Sequence, residues 1–443
     1  MTEANAIELC GEALKLAEAA GAASAEASVS VARRFHAEAR ESAVSKLEGS
    51  TGKSLFMRIF YEGRKATLST SDFSPDALRD AIRRAVAQAA HVAADEFAGL
   101  PETAAPNNVD LALFDARIAE RDGGDKVDDA IKLERLIREA DTRVVNSSGS
   151  NYSDAVAVTA IANTSGFAGA YAWTRAGRST GPVALDGGVK RIAHYGTAGR
   201  YLGELEPPAA VATTAVRRAV DLFGARKPQT MRVPVIFERD VAAQFLDDIF
   251  AAVSAGNVAI NNSWLTGRVG SRIGSDLVTI VDDGKLAGKL GSSPFDGEGV
   301  PTQRTPVLEN GVLRTFLYDT YYARKLGTTS TGNSTGGGIG PNNFYLEPGT
   351  LSLPELIAAT PLGVLVLDTI GFATEHASGT YSRGARGFFI ENGELAYPID
   401  EFTVAGQYTE MLERVDAVAN DLRWDAAVVS PSFRIADLTV SGN

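Results

Sequence analysis

Apolar residues recur along this chain at helical spacing in some stretches and at every second position in others, and the changes of period mark the elements. Between Ala6 and Ala20 the residues Ile7, Cys10, Leu14 and Ala17 recur at helical spacing, and Gly21 follows as a stop. Residues 25–32 and 54–61 alternate instead, which predicts half-buried strands, and Glu62-Gly63-Arg64 turns the second into a strand near 66–70. Ser74-Pro75 then opens a helix, serine as N-cap and proline in the first turn, with Leu78, Ile82, Ala85 and Ala89 on one face. His91 falls in its last turn, where a cation suits the helix dipole.

The stretch 101–109 has the composition of a linker. Beyond it the pattern predicts a charged helix at 125–140, strands near 155–162 and 167–174, and an Ala-rich helix over 208–223 after Pro207-Pro208. Lys227-Pro228 marks a second boundary. Met231 to Phe237 reads as a strand, followed by a helix from Asp240 to about Ala255 carrying Val241, Phe245, Ile249 and Val253. Asn310-Gly311 and Asn392-Gly393 lie between apolar runs and signal hairpins. Helices and strands mix without steady βαβ alternation, so the predicted class is α+β. The expected domains are mixed α/β ones at 1–105 and 106–228 and a strand-rich one at 229–443.

Composition narrows the chemistry. The 443 residues include 43 basic and 55 acidic side chains, a net charge of −12, with four histidines and one cysteine. A single cysteine excludes an intrachain disulfide framework and a thiolate metal cluster. The acidic balance argues against nucleic acid as the main partner. Acids stand at the N-terminus where a secretory signal carries bases, and no run of ~20 apolar residues occurs. The expectation is a cytoplasmic protein without a membrane span.

Candidate active-site patterns are sparse. The histidines His36, His91, His194 and His376 are isolated from each other, and no H-E-x-x-H occurs. Gly332-Asn333-Ser334-Thr335-Gly336 matches G-x-S-x-G, but it lies in a Gly/Ser/Thr run that starts no helix, so it does not read as a nucleophile elbow. The same run lacks the lysine of a phosphate loop. What it offers is open backbone that an extended peptide could approach, or a surface loop. Asp247-Asp248 and Asp282-Asp283 are adjacent pairs, and neighbours on a helix do not face each other as a catalytic dyad would.

The C-terminal segments resemble the TldD/PmbA family, and the resemblance extends over most of the chain, in the N-terminal third as pattern more than motif. The residues that carry the resemblance are Gly291 to Arg304, Leu317 to Gly327 with Ser330-Thr331-Gly332-Asn333, Tyr381 to Phe388 with Ile390 to Glu394, and Ala419 to Leu422. The resemblance implies a C-terminal domain of that type in a heterodimeric metalloprotease acting on unfolded or extended peptides, including peptide-antibiotic precursors. In that family the TldD type carries zinc on H-E-x-x-x-H plus a cysteine near the C-terminus, and the TldE (PmbA) type lacks the metal site. Alignment on Pro234 to Phe237 puts Asp247, Asp248 and Ala252 at the His, Glu and His positions, and no cysteine lies between Asp425 and Pro431. The chain therefore resembles the non-catalytic TldE type. That implies no cofactor in this chain, zinc in a TldD-like catalytic partner, and chamber-wall and peptide contacts from this subunit.

Arg304, Asn333, Ser334 and Arg383 are the candidates for peptide or interface contact, with turn-holding hydrogen bonds as their alternative role. Two rival readings stand beside the main one. One is a stand-alone, homodimeric peptide-binding or scaffold protein. The other is an active hydrolase with a non-standard metal site using His376 or Asp247. The family's older name links it to DNA gyrase, and a charge of −12 argues against direct DNA contact.

Overall fold

A computed structural model describes residues 1–102, 109–371 and 374–442. The middle of the expected linker, 103–108, lies outside the described residues. The N-terminal part folds in the order α1 (Glu3–Ala19), β1 (Ser24–Arg40), β2 (Ala43–Tyr61), β3 (Arg64–Thr70), α2 (Pro75–Ala89), α3 (Ala116–Glu120) and α4 (Gly123–Ala140). It continues through β4 (Val144–Asn163), β5 (Ala168–Asp186), β6 (Val189–Ile192), β7 (Tyr195–Gly199) and α5 (Pro208–Val220). Its strands make one antiparallel sheet in the order β3-β2-β1-β4-β5-β6, with β7 also on β5. β1 pairs with β4 from Glu26↔Asn163 to Ala39↔Ser150, so the segments before and after the linker share this sheet.

Alternation gives the sheet two unlike faces. Ala25, Ala27, Val29, Leu55, Met57 and Ile59 pack beneath α1 and α2 with Cys10, Leu14, Leu78 and Ile82. The other face carries Glu26, Ser28, Phe56 and Arg58 toward the C-terminal half. α2 buries Leu78, Ile82, Ala85 and Ala89, the four residues its periodicity selects. His91 lies one residue beyond the C-cap, exposed, rather than in the last turn.

β1 and β2 run further than their alternation predicts. Residues 43–54 of β2 are exposed throughout, and that arm is held by the main-chain ladder to β1, which leaves no apolar signal. The charged helix α4 also departs from a solvated surface helix. It buries Lys126 against Asp154 at 2.7 Å, Asp129 against Arg178 at 2.9 Å, and Glu134 among the hydroxyls of Ser147 and Ser150.

The C-terminal half opens with β8 (Met231–Phe237) and α6 (Arg239–Val253). Val241, Phe245, Ile249 and Val253 are each buried, as their spacing requires. A seven-stranded sheet assembled around β8 includes 362–370, 380–391, 394–407 and 433–441, and a five-stranded sheet holds 280–283 and 304–309. Phe237, Phe245, Tyr381, Tyr408 and Phe433 pack ring against ring within this core, Phe237 stacked on Phe433 and the others tilted or edge-on. Both Asn-Gly pairs turn hairpins with positive φ at both residues, 48° and 76° at Asn310-Gly311 and 52° and 78° at Asn392-Gly393. The fold is α+β, with its strand-rich region C-terminal. No helix among the described residues is long and apolar enough to cross a membrane.

Candidate functional site

Two places bring chemistry together: a patch on α6, and a groove between the two halves. On α6 the Asp248 carboxylate accepts from Arg383 Nη2 at 2.8 Å and from the Tyr408 hydroxyl at 2.5 Å. Gln244, one turn earlier, accepts from Thr369 at 2.8 Å, with Arg383 Nη1 3.4 Å away. Asp247 is exposed on the neighbouring helix face, and Ala252 is wholly buried in the core.

This donor set does not fit a zinc ion. A catalytic zinc needs three protein ligands and an open position, whereas the Asp248 carboxylate here is neutralised by a guanidinium. Among the described residues no group of three or more His, Cys, Asp or Glu side chains could hold a metal. His376 does not change this: its carbonyl accepts from Trp264 N–H at 3.0 Å, and its Nδ1 is buried without a hydrogen-bond partner.

The groove, of about 680 Å³, lies where the sheet face meets the loops around 290–297 and 333–342. Tyr171, Trp173 and Arg175 line one wall at every second position of β5, and Phe56 stands further along the same face. Phe295 inserts from the C-terminal half, edge-on to Phe167 (5.2 Å) and Tyr171 (5.3 Å). Arg200 clamps the junction. It donates to the carbonyls of Leu290 (2.8 Å) and Ser292 (3.2 Å) and lies over the Trp173 ring. Burial lowers its guanidinium to about 10.

Asp296 forms part of the groove floor and accepts from the backbone N–H groups of Glu298, Val300 and Ser334. Burial and the neighbouring Glu298 charge push its carboxyl up to about 8, against those three donors. Beside it, Arg58 donates to Glu26 at 2.6 Å and to Glu298 at 2.5 Å in a buried triad that joins the two halves.

The four sequence candidates fall in three places. Asn333 and Ser334 sit together in the glycine-rich loop at the groove, both buried. The Asn333 amide donates to Asp282 at 2.8 Å and to the Gly340 carbonyl at 3.1 Å. The Ser334 hydroxyl accepts from Gly336 N–H at 3.1 Å, an arrangement of a turn and not of an activated nucleophile. Asp282 also accepts from Asn342, and burial raises its carboxyl to about 6. Arg383 stands at the α6 patch. Arg304 lies apart on the surface, paired with Glu347 at 2.9 Å.

Sequence reasoning missed Tyr408, the Glu26–Arg58–Glu298 triad, and the Trp173–Arg175 wall. For the wall a signal existed, since residues 171, 173 and 175 alternate with Ala172 and Thr174.

Comparison with known proteins identifies the family and the fold. Family models for the PmbA/TldA metallopeptidase match in three successive parts: domain 1 over 25–89, the central domain over 117–223 and the C-terminal domain over 230–442. Fold and matched domains define a chain of metallopeptidase architecture, and it belongs to the PmbA/TldD metallopeptidase family. Its relatives include the Metalloprotease PmbA homolog of Haemophilus influenzae, 32% identical and covering 97% of this chain and 95% of that one. Metalloprotease PmbA of Escherichia coli O157:H7 is 30% identical, covering 94% and 92%. In fold the chain superposes on TldE from Thermococcus kodakarensis with a TM-score of 0.90 at 23% identity, covering 98% of this chain and all of the other.

Proposed function

We propose that this chain is the TldE/PmbA-type subunit of a cytoplasmic TldD/TldE peptidase. A TldD-like partner supplies the zinc and the cleavage chemistry, and this chain supplies chamber wall and contacts to unfolded or extended peptides. The observation that carries the reading is the α6 patch. Where a zinc-binding subunit needs His, Glu and His, this chain has Asp247, an Asp248 tied to Arg383 and Tyr408, and a core Ala252.

The chain's own residues then act by shape and hydrogen bonding. The Arg383–Asp248 pair is half-buried and fixes α6 to the 380–391 strand. The glycine-rich loop, held by Asn333 on Asp282, presents backbone to the groove. The test is cleavage of an unstructured peptide by this chain alone, by a TldD-like subunit alone, and by both together. Activity is expected only in the mixture, surviving Asp247→Ala here. One tightly held zinc per isolated chain, with cleavage lost in Asp247→Ala, would overturn the reading. So would a homodimer that forms no complex with such a subunit.

A further inference from the structure

Beyond the groove the same sheet face continues as open surface, and two arginines stand on it. Register places them: Arg34 on β1 lies opposite Ala155 on β4, and Ala155 lies opposite Arg175 on β5. They share one cross-strand row with a single alanine between, two strand spacings or about 10 Å apart at the backbone. Both are exposed, and among the described residues neither makes an ion pair. The acids nearby are already engaged. Glu48, opposite His36 on that face, pairs with Lys46 at 3.0 Å. Asp154 belongs to the other face and is buried against Lys126. A chain with a twelve-charge acidic excess thus keeps two arginines of one cross-strand row without an ion pair among the described residues. Arg34 Nη1 lies over Gly52 of β2, so this exposed side chain turns toward Arg175 when the two share a ligand.

Their position gives them a use. Arg175 borders both the groove and a smaller depression, of about 350 Å³, that holds Arg34 and His36, so the two spaces meet at this residue. Trp173 and Tyr171 follow it into the groove on the same face. On the far wall the backbone is open at Gly337, where nothing lies within 4 Å of where a side chain would begin.

We propose that this continuous surface binds an extended peptide that carries a carboxylate. The carboxylate sits between Arg34 and Arg175, where paired charge-assisted hydrogen bonds suit its geometry. An apolar or aromatic side chain about two residues away enters the groove against Trp173 and Tyr171, since an extended chain advances ~3.3 Å per residue. The peptide main chain passes Gly337. A polyanion such as a nucleic acid would need a longer basic track than two arginines in an acidic protein. Naming a peptide rests on the peptide-handling reading above, whereas the arginine pair requires neither partner subunit nor metal.

The test uses the purified full chain and fluorescence anisotropy with three N-terminally fluorescein-labelled peptides. They are Gly-Phe-Gly-Glu-Gly amide, Gly-Phe-Gly-Gln-Gly amide, and Gly-Phe-Gly-Gln-Gly with a free C-terminus. At least one carboxylate-bearing peptide binds about tenfold or more tighter than the neutral one, and which of the two does so identifies a side-chain or a terminal carboxylate. Arg34→Glu/Arg175→Glu abolishes that preference and leaves the weak binding of the neutral peptide in place. Both positions are exposed, and an unchanged thermal melt confirms that the variant folds. Equal binding of charged and neutral peptides, no binding of any, or a preference that survives the double variant would overturn the proposal. Tighter binding of a labelled ten-residue oligothymidylate than of the acidic peptides would do the same. Cleavage by the mixture with a TldD-like subunit is a separate readout, so this site can fail while the subunit reading stands, and the reverse.

Discussion

Cys10 carries the chain's one thiol on the inner side of α1, wholly buried, with its S–H directed to the Ala160 carbonyl at 3.8 Å. Loss of hydration pushes the thiol up to about 12, so near pH 8 only about one molecule in 10⁴ holds a thiolate. A disulfide-exchange reagent should therefore label Cys10 no faster than α1 opens, and rapidly in denaturant; fast labelling of the folded protein would contradict this burial. At this scale the sequence was legible where one helix carried the information, since Cys10 lies on a stripe whose period alone buries it. Arg58 was not legible, and Arg175 only as one of an alternating row whose use the row itself does not show. In an alternating strand a charged residue marks the face away from the local core, and what covers that face is decided by distant chain. For Arg58 the covering partner is Glu298, 240 positions on.

Strands and turns show the same division. The Asn-Gly hairpins and helices α2 and α6 could be read locally because a turn conformation or an apolar stripe is a short-range property. The outer arm of the β1–β2 hairpin could not, because its residues 43–54 bury nothing. β5 adds a requirement of close approach at Gly169. An added Cβ there would lie 2.6 Å from the Phe295 ring and 3.1 Å from the Phe167 ring. Phe295 is held edge-on between Phe167 and Tyr171 and has nowhere to swing. Gly169→Ala should cost about 1–3 kcal/mol through overpacking, measured by urea unfolding. A variant as stable as the parent would show that the two halves slide apart freely at this contact.

Across the whole molecule, the triad of Glu26, Arg58 and Glu298 is a buried charged tie between the halves. Two carboxylates share one guanidinium there, and burial raises Glu26 to about 6 from an ordinary 4.5. A raised acid holds its proton more tightly folded than unfolded. Its contribution to the free energy of unfolding therefore falls as pH rises from about 4.5 to about 6, and is flat above that. Burial is the cause that sets this sign. Glu26→Gln keeps an acceptor for Arg58 and removes this component, so its unfolding free energy should fall less steeply than the parent's between about pH 4 and about pH 7. Parallel pH profiles for the two proteins would place the proton elsewhere.

The register of β1 also sets an order of events during synthesis. Its outer neighbour β2 follows within a two-residue turn, but its inner neighbour β4 begins at Val144. A ribosome adding roughly 5–20 residues each second leaves the β1 edge waiting about 5–20 s for its partner. Throughout that interval Ala25, Ala27 and Val29 have only α1, α2 and the first hairpin for shelter. The nascent chain thus passes through a half-sheet with one sticky border, the stage at which a holding chaperone would have most to protect.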